Sequence, residues 1–503
     1  MPLYPLAPGA FKATNSARML TATRMTLDDL QRQLASGKKS ETYGGLGAAR
    51  ITSLEMRAKA FEVKGYQETI VSTQIRVKQV DLSLNQLSKI SDEVRSSTIL
   101  PQFNPDSNGK TSMQKYARTR LDEAVDVLNS EINGVRLFSG RKTDVRPVLD
   151  ANTLLNGDSA GRAGLQQLTI ERKAADLGTG TGRLVLAGAG TTATLAEDAA
   201  HPFGFKLTAA TSTSAGITSA FAAAPPANIS FNVAANPADG EQVRFELQLP
   251  DGTKQAIVLT ARSAPLTPVA DAGRFEIGAT PAATAANLRT SIAAVISREA
   301  STTLPSASAK AAANAFFAGS INSPPLRVVG PPATATALAA GTAANTVIWY
   351  QGDDQSPSAR FTAQAKIDTS VTVGVGAQAN EEGIRRLMAN LAVFANESFT
   401  PSATDQGRYQ ALSDSMRGDL GQTSGVQRVQ DIQVEIAMAA VTMKMADERH
   451  KTKLSFVETV ISDVEDSNQE ETAARLLSLQ TKMQAAYQTT AILSRLNLTD
   501  YLR

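Results

Sequence analysis

The chain has 503 residues, enough for two to four domains at roughly 150 residues each. Its 50 basic and 48 acidic side chains leave a formal charge of +2, so no overall field draws it to nucleic acid or to an anionic membrane surface. Cysteine is absent and histidine occurs only as His201 and His450; this excludes disulfides, thiolate metal sites and cysteine nucleophiles and leaves few groups for acid–base work near neutral pH. The expectation is therefore no enzyme, no metal and no cofactor. The opening MPLYPLAPGAFKATNSARML lacks the basic start and apolar stretch of a cleaved secretory signal, and no run of 18 apolar residues follows, so neither a conventional signal nor membrane insertion is expected.

In chain order, Ala13, Leu20, Leu27 and Leu34 recur every seven residues, with Thr23 and Leu30 three positions on. That is the seam pattern of a long helix, and Gly37 stops it. A second helix is predicted from about 51 to 97, with Ile70, Val77 and Leu84 on one heptad position and Thr73, Val80, Leu87 and Val94 on another. After Pro101, Pro105 and Gly109 a third runs from about 111 to 133, with Ala117, Leu121, Val125, Leu128 and Ile132 in one stripe.

Between about 151 and 377 the charge density falls to about half that of the ends, and Ala, Thr, Gly, Ser and Pro dominate. Alternating segments at 229–233, 243–249 and 256–260 predict strands, the last two joined by the turn Pro250-Asp251-Gly252-Thr253. Further strands are expected at 183–186, 274–277, 326–329 and 346–350. One helix is expected near 285–297, through Leu288, Ile292 and Val295 or Ile296. The C-terminal stretch returns to helices at about 381–395, 406–420, 426–464 and 469–496. In the first, Ile384, Leu387, Met388, Leu391 and Phe394 face inward; in the last, Leu476, Leu479, Met483, Ala486 and Leu493 hold the seam. The expected fold is mainly α with a β-rich insert: a long α-helical coiled-coil bundle built from both termini, 1–148 and 378–503, carrying a central outward-facing β-rich domain at 149–377.

Three segments carry a resemblance to a known family. Leu34-Ala35-Ser36-Gly37-Lys38-Lys39 resembles the Leu-(Ser/Ala)-(Ser/Thr)-Gly-Lys segment that follows the first helix of bacterial flagellins. The tail from Leu493 to Leu502 is similar to the family's Leu-rich end. The stretch from Asn129 to Asp144, with Phe138-Ser139-Gly140 inside it, resembles the Phe-Ser-Gly-x-x-Thr-(Asp/Asn) segment of the hook–filament junction proteins within that family. One departure stands out: the family commonly has consecutive acidic residues after Ser-Gly-Lys, where this chain has Ser40-Glu41-Thr42-Tyr43-Gly44-Gly45-Leu46-Gly47.

The resemblance implies a structural subunit of the bacterial flagellum, exported through the flagellar type III channel with a dedicated chaperone and polymerised helically outside the cell. Its partners would be further copies of itself, other hook-associated proteins and filament flagellin. The candidate site is accordingly a set of apolar knobs in intersubunit seams: Leu20, Leu27, Leu30 and Leu34 at one end and Leu476, Leu479, Met483 and Leu493 at the other. A major filament flagellin is the nearest alternative, and a surface adhesin or glycan-binding protein a more distant one.

Other features read as ordinary structure. Gly44-Gly45-Leu46-Gly47 lacks the Gly-Lys-Ser/Thr ending of a phosphate loop and reads as an interhelical connection. Asp463, Glu465, Asp466, Glu470 and Glu471 read as acids favoured at a helix N-terminus rather than as a cation site. Asp353 and Asp354 beside Trp349 and Tyr350 read as an acidic turn on a packed aromatic strand, not a carbohydrate-binding edge. His450 is expected at a solvated helix position and His201 in a loop.

Overall fold

The structure, a computed structural model, describes residues 8–99, 101–263, 273–356, 358–422 and 425–500, with side chains described from 17 to 492 within that span. In chain order its elements are α1 Pro8–Ser36, α2 Ala49–Ser97, α3 Ser112–Leu128, β1 Glu131–Ile132, β2 Val135–Arg136, α4 Ala151–Asn156 and α5 Leu165–Leu177. There follow β3 Leu184–Ala187, β4 Thr192–Glu197, β5 Lys206–Ser212, β6 Ile217–Ala222, β7 Asn228–Val233, β8 Gln242–Gln248, β9 Lys254–Arg262 and β10 Arg274–Glu276. Then come α6 Pro281–Ser301, α7 Thr303–Ala318, β11 Leu326–Val328, β12 Leu338–Ala340, β13 Gln364–Lys366 and β14 Thr372–Gly374. The chain closes with α8 Glu382–Asn396, α9 Ala403–Asp419, α10 Val429–Glu465 and α11 Gln469–Asp500.

The expected architecture, one terminal coiled-coil bundle around a β-rich insert, does not stand. About 53% of the chain is helical and the helices are spread along its whole length. Four of them, α4 to α7, fall inside the stretch expected to be β-rich, where only α6 is expected, and the sheets are small. The reason is legible in α7: its Ala-rich sequence is buried on nearly every side, from Leu304 through Ala312 to Phe317. Such a helix shows no amphipathic period, although Ala is the best helix former. Two smaller differences follow from local chemistry. The third helix ends at Leu128, so Ile132 sits in the β1–β2 hairpin. Thr346 and Tyr350 form isolated bridges to Ala163 and Val148 rather than a strand.

The chain divides into two compact units: Met1–Ser72 with Lys366–Thr372 and Thr442–Arg503, and Thr73–Ala365 with Val373–Val441. In the second unit, two four-stranded sheets, ordered β3-β4-β7-β6 and β10-β9-β8-β5, share one core with α6. All their pairings are antiparallel except β10 with β9. Alternation builds this core. Ile229, Phe231 and Val233 of β7 and Val243, Phe245 and Leu247 of β8 point inward, and Leu288, Ile292, Val295 and Ile296 of α6 close it.

The same unit holds a helical cluster in which α7 packs on α5, α8 and α9, and α8 packs on α3. Ions are buried there: Lys173 of α5 reaches the Glu397 carboxylate, to which Arg408 Nη2 also donates at 2.9 Å. Trp349 is buried against Phe317, with its Nε1 donating to the Phe317 carbonyl at 2.9 Å.

In the first unit α1 packs along α11. His450 on α10 is buried there rather than solvated: its Nε2 lies 2.7 Å from the Ile367 carbonyl oxygen, and the ring stacks on Tyr66. A carbonyl only accepts, so Nε2 carries the proton.

Candidate functional site

The resemblance-bearing segment after α1 is held by backbone pairing. Gly37 ends α1 in the left-handed region at φ +68°, a conformation that costs glycine least. The chain then runs antiparallel to the α10–α11 turn: Lys39 N donates to Glu465 O at 2.7 Å and Ser467 N to Gly37 O at 2.8 Å. Lys38 pairs with Asp466, and Lys39 Nζ donates to the Asp463 and Val464 carbonyls. Beneath this lies Glu465, which accepts from Ser53 Oγ at 2.6 Å and from Arg57 Nε and Nη2 at 2.7 and 2.6 Å. That bidentate guanidinium holds the Glu465 carboxyl down to about 2 and raises Arg57 in turn. The loop beyond it turns through Tyr43–Leu46, where a Cβ on Gly45 would collide with Ser40 Oγ.

The acidic run therefore has separate roles. Glu465 and Asp466 are ion-paired, and the N-terminus of α11 is capped by Asn468, whose Oδ1 accepts from Glu470 N at 3.1 Å and Glu471 N at 3.2 Å. An open cleft of about 970 Å³ beside this turn is lined by Asp29, Arg32, Lys39, Asp463, Glu471 and Arg475 among others. Its arginines pair within their own helices, Arg32 with Asp29 and Arg475 with Glu471. Among the described residues no cluster could hold a metal ion, and no helix is long and apolar enough to cross a membrane. Trp349 and Tyr350 are buried, and the His201 ring is covered beside Asp198 in a loop.

The expected seam residues lie along the line where α1 meets α11 of the same chain. Leu27 and Leu476 are each 8% exposed, and Leu20, Leu30, Leu479 and Met483 are half-buried. Leu34 is at the rim with 36% exposure. The side chains of Ala13 and Leu493 lie outside the described residues. The outer sides of these two helices expose Met19 and Met25 on α1 and Leu477, Tyr487 and Ile492 on α11.

Sequence reasoning missed a second set. On α2 the expected inner stripe is buried, from Ile70, Val77 and Leu84 to Val80, Leu87 and Val94. Yet Leu54, Phe61, Ile75 and Leu82, spaced by sevens with Glu68 between, are all exposed, Phe61 at 82%. On α10, Ile432, Ile436, Ala439, Met443 and Ala446 are buried while Val434, Met438, Val441 and Met445, spaced four, three and four, are exposed. A helix needs one apolar stripe to dock on its own chain. A second, on another side and in heptad register, is apolar surface that its own chain leaves uncovered. The signal was present, since 54, 61, 75 and 82 share one heptad position, but the stronger inner period hides it.

The segment Phe138-Ser139-Gly140 is interior. Ala379 N donates to Phe138 O and Asp353 N to Ser139 O, both at 2.9 Å, and Ser139 bridges Gln378. Protein-family models searched against the chain give no match, and no curated protein is significantly similar to it in sequence.

Proposed function

We propose that the chain is a structural subunit of the bacterial flagellum that polymerises helically, at the hook–filament junction. The observation that carries this reading is the pair of exposed heptad stripes on α2 and α10, which give the long helices apolar faces left over after their own chain has been packed. Burying a side chain such as Phe61 contributes about 1.5–3 kcal/mol, and a helical array repeats that gain at every subunit. The three flagellin-like segments supply the flagellar context, and with it export through the type III channel, a dedicated chaperone and contact with other hook-associated proteins and filament flagellin.

The test uses the purified full-length chain. Wild-type protein should form polymers by sedimentation and negative-stain microscopy, and Phe61→Asp or Met438→Asp should leave it monomeric and folded. Polymers of either variant at the wild-type concentration would overturn the reading. In the cell, deleting the gene should release unassembled filament protein into the medium. Complete loss of filament protein would instead identify the major filament subunit, a reading that the size of the sheet-and-helix middle region favours.

A further inference from the structure

Arg76 stands on α2 next to Ile75, on the flank of the exposed stripe. Its Nε and Nη2 are covered and find no hydrogen-bond partner among the described residues. Burial is the only influence on its proton affinity, which it lowers; no carboxylate acts in the other direction. Arg57 and Arg360 are matched, Arg57 gripping Glu465 and Arg360 bridging Glu381 and Glu435, whereas Arg120 and Arg385 each have only their Nε covered and unpartnered. A guanidinium does not shed its charge at physiological pH, so one that is half-buried with two nitrogens covered and no anion costs free energy that a partner can recover.

We infer that Arg76 is the polar anchor of the outer stripe, pairing with a carboxylate from a second copy of this chain as Ile75 and Leu82 become covered. This rests on the self-assembly proposed above. Charge complementarity selects the occupant: the acceptor must be anionic and suited to a planar fork, and it must arrive with apolar surface, because Ile75 and Leu82 are both more than half exposed. A dissolved anion would meet the first need and leave the second unmet. A second copy carries carboxylates and heptad-spaced apolar side chains together.

The experiment compares full-length wild type, Arg76→Met and Arg76→Lys, reading monomer stability by urea titration and assembly by sedimentation over a range of sodium chloride. Arg76→Met should keep or raise the urea midpoint, because it removes an unmatched, half-buried charge. Its critical concentration for assembly should rise at least tenfold, and assembly should lose much of its salt dependence. Arg76→Lys should fall between the two, keeping the charge and losing the fork. Arg76→Met assembling at the wild-type concentration would overturn the inference alone. So would a parallel loss of monomer stability and assembly, which marks an in-chain role. Wild-type protein that never polymerises would instead remove the proposed function beneath it.

Discussion

In the sheet core, Phe205, Phe231, Phe245 and Phe275 are covered by two sheets and α6, whereas α2 buries Val63 and leaves Phe61, two residues earlier, in solvent. Strands have two faces, and one is spent on the core while the other carries polar side chains. A helix has a full circumference, and a narrow stripe anchors it, so another can be offered outward. The sheets thus finish their packing within one chain. The long helices do not, and the proposed polymer contacts are placed on them for that reason.

The contrast can be broken most severely at Leu27. Leu27→Asp puts a charge into the α1–α11 contact and should cost several kcal/mol. Hydrogen exchange in α1 and α11 should become fast, while Trp349 fluorescence, a single probe inside the second unit, stays unchanged. A shifted Trp349 spectrum would refute that independence. Next comes the sheet core: Phe245→Ala should destabilise the second unit by about 3–5 kcal/mol, read from the Trp349 transition in urea.

Glu465 gives a smaller and pH-dependent effect. Its carboxyl is held at about 2 against the ordinary value of 4.5, so the unfolded chain binds the proton first. The stabilisation is complete above about pH 4.5 and is lost as pH falls from there toward 2. Glu465→Gln should cost the first unit about 1–3 kcal/mol at pH 7, and the gap from wild type should close in that acid window, followed by circular dichroism at fixed urea. A gap that persists at pH 2 would exclude the ion pair as its source. The mildest case is Met438→Ser, which should change monomer stability by less than about 0.5 kcal/mol and yet weaken assembly.

Most helices were legible from the sequence where one side is wet. α8 could be read from Ile384, Leu387, Met388, Leu391 and Phe394, and α10 and α11 started within about three residues of their expected positions. The β8–β9 hairpin was equally clear, because Val243, Phe245 and Leu247 alternate up to a turn. The elements not foreseen include α4 and α5, although Leu165 and Leu168 of α5 are buried beside exposed Gln166 and Gln167; the others lack a polar face or bulk. α7 is buried all round, and β4 and β6 are built largely from Thr, Ala and Ser, whose side chains signal neither face strongly. At the candidate site the heptads of Leu20, Leu27 and Leu476 were visible as seams. Which copy of the chain fills a seam is a tertiary fact, and the structure puts α11 of the same chain beside α1. The Glu465–Arg57 lock joins residues some four hundred positions apart, and no local pattern announces it.

The buried cluster of Lys173, Glu397 and Arg408 bears on how this protein could be re-engineered. Lys173 belongs to the middle stretch, while Glu397 and Arg408 belong to the C-terminal helices. Cutting out the middle at its ends would strip one anion of its ammonium partner and bare the side of α8 that α7 covers. The Asp251-Gly252 bend between β8 and β9 is no freer a place for a foreign peptide, because the Asp251 carboxylate is covered and lies 3.8 Å from the buried Lys310 ammonium.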